Sequence, residues 1–163
     1  VQPTYWANRK LFGVMSWLTP KQFMQPVADR HGSIRNTMVH VLSAEWGWLS
    51  RCGGPQRGAP LDPLDYPTVA ALVDRWDRVE APAREFLSTL RDEDHARHAE
   101  FVIGRVEKRS MPVGELLQHA ANLSMASVCQ GGVVSTLRFL GFCFSPFKRF
   151  WSGAGRAEPR GST

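Results

Sequence analysis

A chain of 163 residues with 43% hydrophobic and 21% charged side chains has the size and composition of one core-forming domain, not of a disordered segment. No apolar run approaches the roughly 18 residues of a membrane-spanning helix, so no membrane span is expected. The net charge of +5 is spread along the chain without a basic stripe or recognition motif, so no nucleic-acid partner is expected either.

Three cysteines, Cys52, Cys129 and Cys143, stand at wide spacings with no CxxC pair. That pattern does not look like a disulfide framework, excludes a zinc knuckle, and fits a reducing cytoplasm. The opening residues, Val1-Gln2-Pro3-Thr4, lack the basic and apolar regions of a signal peptide.

The first helix is predicted from about Tyr5 to Trp17, with Tyr5, Asn8, Leu11, Phe12, Met15 and Leu18 in one stripe. Asn8 is the polar member of that stripe. Thr19-Pro20 reads as an N-cap followed by proline at the first position of a short helical turn. Pro26 and Gly32 bound the next linker. The second helix should open on Ser33 as N-cap, run to about Arg51 and stop at Gly53-Gly54. Its apolar face is Ile34, Met38, Val41, Leu42 and Leu49, with Glu45 in the middle. A neighbouring strip holds Thr37, His40, Ala44 and Gly47.

Prolines 55, 60 and 63 make the following loop irregular. The third helix follows Pro67 and continues to about Leu90, with Pro82 expected to kink or split it. Phe101-Val102-Ile103, Gly104-Arg105 and Val106 predict a small hairpin or extended connection. The fourth helix begins near Pro112 and runs towards Leu140, interrupted by Gly131-Gly132. An aromatic and basic stretch spans 142–151. The expectation is an all-α four-helix bundle with a small hairpin before its last helix, over residues 1–151, and a disordered tail over 152–163.

Among polar residues, Glu45 needs explaining first. A carboxylate on an apolar face requires a partner or a raised pKa. It is either a general base or an anchor held through Asn8 or an arginine. His95 and His98 follow three acids and read as part of a charged, exposed connection. The tryptophans are expected mostly in the core, with Trp6, Trp46 and Trp48 as alternative pocket linings.

The segment from Gly32 to Leu49, with its histidine and a glutamate five residues later, resembles the second helix of the DinB family. Tyr5-Trp6-Ala7-Asn8 is similar to the family's first helix. Gly114 to Asn122 and Val133 to Gly141 are similar to the opening and end of its last. The resemblance covers roughly residues 5 to 141. It implies a four-helix bundle, often a homodimer, with a divalent metal such as nickel or zinc held by three histidines. Some members of this damage-inducible family transfer a low-molecular-weight thiol to an electrophile.

By that resemblance His40 is the second-helix metal ligand. The histidine pair of the fourth helix is missing. Counting from Asn122 its positions fall on Leu123 and Ser127; counting back from Gly141 they fall on Met125 and Cys129. The two counts differ by two residues. His119, one turn earlier, is the candidate second ligand, and Met125 with Cys129 read as core. Two functions follow: a DinB-like metal-dependent transferase or hydrolase, or a non-catalytic binding or dimerisation module.

Overall fold

The computed structural model describes residues 2–27, 31–103 and 106–130. Among these the chain is mostly helical, with five α-helices and one two-stranded sheet. The helices are α1 (Gln2–Met15), α2 (Pro20–Met24), α3 (Ile34–Arg51), α4 (Val69–Thr89) and α5 (Val113–Gln130). The strands are β1 (His98–Ile103) and β2 (Glu107–Pro112). The helix additional to the four expected long ones is the short α2, opened by the Thr19-Pro20 signal. No helix among the described residues is long and apolar enough to cross a membrane.

Local chemistry sets the helix ends. The Thr19 hydroxyl oxygen accepts from Gln22 N–H, and the Gln22 side chain accepts in return from Thr19 N–H at 2.9 Å. This is a reciprocal capping box. Ser33 caps α3 by accepting from Asn36 N–H at 3.1 Å. At the other end, Gly53 adopts a left-handed φ of 95°. The Gly54 N–H then donates to Leu49 C=O, and the Gly53 N–H to Ser50 C=O, which closes a Schellman motif.

Of the two outcomes expected at Pro82, a kink or a split, the split does not occur: helix α4 runs unbroken through the proline. Glu80 and Arg84 form an ion pair at 2.6 Å that straddles the proline, and Val79 and Ala83 are buried on either side of it. Packing on either side offsets the backbone bond that proline removes. The strands pair antiparallel from His98↔Pro112 to Ile103↔Glu107. Ala99 and Phe101 point inward while His98 and Glu100 face out, the period-two alternation of a strand with one buried face. Val113 N–H donates to Arg97 C=O at 2.8 Å, tying α5 to the base of the hairpin.

The apolar interior has two parts. One joins α1, α2, α3 and α4 through residues such as Met15, Phe23, Met38 and Leu72. Phe12 meets Trp76 edge-on there, with ring centroids 4.9 Å apart. The other joins the end of α3, α4, β1 and the start of α5 through Leu49, Cys52, Ala83, Phe101, Val113 and Leu116. Because the end of α3 meets the start of α5, these two helices run antiparallel. Each fully buried large apolar side chain contributes about 1.5–3 kcal/mol of transfer free energy.

Trp17 departs from the core placing expected of most tryptophans: it is 77% exposed. On a helical wheel it falls nearly opposite the stripe of Tyr5, Leu11 and Met15, and α1 ends before it, at Met15. Trp76 and Trp46 are buried as expected, and Trp48 is half-buried.

Candidate functional site

Helix α3 carries the candidate residues on two different faces. Glu45 is five residues from His40, which at 100° per residue turns it about 140° around the axis. Glu45 is therefore buried in the interior, while His40 is exposed.

On the outer side, Gly32 takes a left-handed φ of 80° and folds His31 back alongside α3. Asn36 Nδ2 donates to the His31 carbonyl at 3.0 Å and fixes the turn. The His31 ring then stacks on the His40 ring, with centroids 4.3 Å apart and 25° between planes. His31 drew no notice in the sequence because it lies outside any periodic element. A histidine directly before a Gly-Ser helix start was the one available signal.

His119 stands elsewhere. Its ring meets Trp48 edge-on at 4.5 Å, and Trp48 lies eight residues, roughly 12 Å along the helix, from His40. The structure thus brings His40 to His31, and His119 to Trp48. No group of three or more His, Cys, Asp or Glu side chains converges to hold a metal among the described residues. His95 is exposed in a 3-10 turn, and His98 is exposed and bonded to Ser110 Oγ at 3.0 Å, as expected of a solvated connection. The side chains of Leu123, Met125, Ser127 and Cys129, and the whole of 131–163, lie outside the described residues.

Inside the molecule, α1, α3 and α4 enclose a polar cluster. Tyr5, Asn8, Glu45 and Glu80 are all 5% exposed or less. Glu80 accepts from Arg84 Nε at 2.6 Å and from Arg9 Nη2 at 3.4 Å. Arg9 also pairs with Asp77 at 2.6 Å. That hydrogen bond, with the Glu80 charge, lifts the Arg9 guanidinium's pKa above its ordinary value. The Arg84 guanidinium lies over the Tyr5 ring at 4.5 Å. Burial first, then the charges of Glu45 and Glu80, push the Tyr5 hydroxyl far above its usual ionisation range. Its oxygen and Asn8 Nδ2 have no hydrogen-bond partner among the described residues. Sequence reading found Asn8 and Glu45 here but missed Glu80, whose arginine partners lie at i+4 and on another helix.

The model of the DinB family matches residues 1–125. The chain belongs to the DinB family. A crystal structure of a DinB-like protein from Bacillus cereus ATCC 10987 superimposes with a TM-score of 0.67. It is 20% identical and the match covers 86% of this chain and 89% of that one, a likeness of fold. Among curated proteins none matches this chain.

For a DinB protein the metal question turns on donors. His31, half-buried, and His40, exposed, are two adjacent imidazoles, and imidazole nitrogen suits a borderline divalent ion such as nickel or zinc. In the stacked arrangement their in-plane lone pairs run side by side, so one ring must turn before both nitrogens meet a single ion. His119 is not brought to join them.

Proposed function

We propose that this DinB protein is a metal-dependent enzyme acting on a small molecule, with His40 and His31 as protein ligands of a divalent metal. The observation that supports this reading is the stacked imidazole pair on the outer side of α3, in the segment that the family model covers. Nickel or zinc bound there lowers the pKa of a thiol or water, which suits transfer of a low-molecular-weight thiol to an electrophile or hydrolysis. In this reading the four long helices, α1, α3, α4 and α5, form a four-helix bundle whose outer surface beside His40 receives the substrate. His119 holds Trp48 as part of the wall and does not touch the metal. Glu45 serves the interior cluster as an anchor and does not act as the base, because it lies on another face of α3 from His40. A reducing cytoplasm suits the buried, unbridged Cys52.

Elemental analysis of the tag-free protein tests this, beside His40→Ala and His31→Ala. Near-stoichiometric nickel or zinc that is lost in both variants is the expected result, and thiol-transfer assays follow from it. Protein that stays metal-free after incubation with both ions overturns the reading.

One observation favours a second reading, a non-catalytic homodimer or binding module. Trp17 is exposed beside a groove lined by Phe12, Leu18, Val69 and Val73. Light scattering of wild type and Trp17→Ser decides it: a dimer that becomes a monomer in the variant supports this reading, and a wild-type monomer removes the dimer.

A further inference from the structure

The strip His40, Ala44, Gly47 and Arg51 ascends α3 at spacings of four, three and four residues, so these four share one side of the helix. At its upper end two arginines converge. Arg51 sits in the last turn of α3, with its guanidinium 4.5 Å from the Trp48 ring centroid and 5.6 Å from that of Phe101. A cation at a helix C-terminus on an aromatic ring is unremarkable. The second arginine is what demands an explanation. Arg57 comes from the loop after Gly53, where its N–H donates to Ser50 Oγ at 3.3 Å. Its side chain reaches back over α3, and Nη2 donates to Ser43 Oγ at 3.3 Å.

Both guanidinium groups end above Gly47. A Cβ built on Gly47 would lie 3.4 Å from Arg57 Nη1 and 3.5 Å from Arg51 Nη1. The two nitrogens are therefore within roughly 7 Å of each other, less than the screening length of physiological salt. No carboxylate among the described residues forms an ion pair with either one. Burial, and next the neighbouring Arg57 charge, lowers the pKa of the Arg51 guanidinium. Two like charges thus lie together beside two serine hydroxyls and a residue with no side chain, with no acid paired to either among the described residues. Guanidinium forks match the oxygens of carboxylates and phosphates in pairs.

We infer that Arg51 and Arg57, converging over Gly47 with Ser43 and Ser50 beside them, bind the oxyanion end of a small molecule, a phosphate or a carboxylate. This goes beyond the metal reading and stands without it. His40 lies seven residues before Gly47 on the same side, roughly 10 Å along the axis. A ligand anchored by its anionic end at the arginines extends along the strip towards the imidazole pair.

Isothermal titration of the full chain with inorganic phosphate and, separately, with malonate tests this at constant ionic strength set by chloride. Saturable binding in the millimolar range or tighter is expected, weakened at least tenfold in Arg57→Gln and unchanged in Arg78→Gln, whose arginine pairs with Asp74 on an exposed face of α4. Arg57 is exposed, so its variant keeps the fold, which thermal unfolding checks. Gly47→Val, which fills the cradle, abolishes binding in the same experiment. Tighter phosphate marks a phosphorylated ligand, and tighter malonate marks a carboxylated one. Absence of saturable binding for both anions, or equal binding by Arg57→Gln and wild type, overturns the assignment. Anion binding is scored separately from metal content, so failure here leaves the metal test intact and the reverse.

Discussion

The buried acid Glu80 should be cheaper to remove than the exposed arginine that serves it. Glu80 is 4% exposed, while the side chain of Arg84 is 48% exposed. Replacing Glu80 by methionine takes the carboxylate out of the interior, fills its volume, leaves Arg9 on Asp77 and frees Arg84 to turn into water. Such replacements of a buried ionic group are close to neutral, so the expected cost is about 0–1 kcal/mol. Arg84→Met does the opposite. It leaves a buried carboxylate with only Arg9 at 3.4 Å, and it removes the guanidinium from the Tyr5 ring. Stranding a buried charge outright costs about 3–5 kcal/mol. Arg9 remains and Arg84 is half in solvent, so we discount this to about 2 kcal/mol, roughly thirtyfold in the folding equilibrium. Urea unfolding at pH 7 reads the difference as a midpoint about 1 M lower in Arg84→Met than in Glu80→Met. A Glu80→Met protein that is as destabilised as Arg84→Met, or more so, refutes the reasoning.

Burial raises the Cys52 thiol to about 11, with Arg97 and Arg51 opposing. A folded-state pKa above the unfolded one gives stability that is complete below the unfolded value and is lost as pH rises through the folded one. The urea midpoint is therefore expected to fall between about pH 9 and 11, less steeply in Cys52→Ala, and an identical alkaline slope in the two proteins rejects the assignment. At Gly54 a Cβ would stand 2.8 Å from the Leu49 carbonyl oxygen and 2.8 Å from Phe86, so Gly54→Ala should cost about 1–3 kcal/mol in thermal unfolding. Gly13, exposed in α1 with nothing near its absent side chain, should gain about 0.5–1 kcal/mol on change to alanine. Tyr5→Phe removes a buried hydroxyl that has no partner among the described residues, so stability should hold or rise by up to about 1 kcal/mol; a clear loss would mean that the hydroxyl is bonded in solution.

Features set within a few residues were legible before any coordinates. The Ser33 and Thr19 caps, the Gly53-Gly54 stop and the hairpin each follow from contacts at short sequence separation. Glu45 was legible for a similar reason: a helical wheel turns it inward whatever surrounds it. What failed needed longer reach. Pro82 was expected to kink or split α4, and with Val79 and Ala83 packed on either side of it the helix is not split. Trp17 was placed in a helix that ends two residues sooner. At the candidate site, His40 was identified but its neighbour His31 was not, because a loop residue has no period to reveal it. Arg57 was equally silent. Its position over Gly47 depends on how a proline-rich loop folds back across α3.

The division of the interior into two parts has a consequence for how the chain is made. The first part draws on residues 11 to 79 and can close once α4 has been synthesised. The second waits for Val113, Leu116 and Leu117, so the end of α3 around Leu49 and Cys52 is covered only by α4 while the hairpin is being made. Elongation at about 5–20 residues per second leaves its other side uncovered for several seconds. During that interval the nascent chain presents an apolar surface to chaperones, and α5 is the segment that withdraws it.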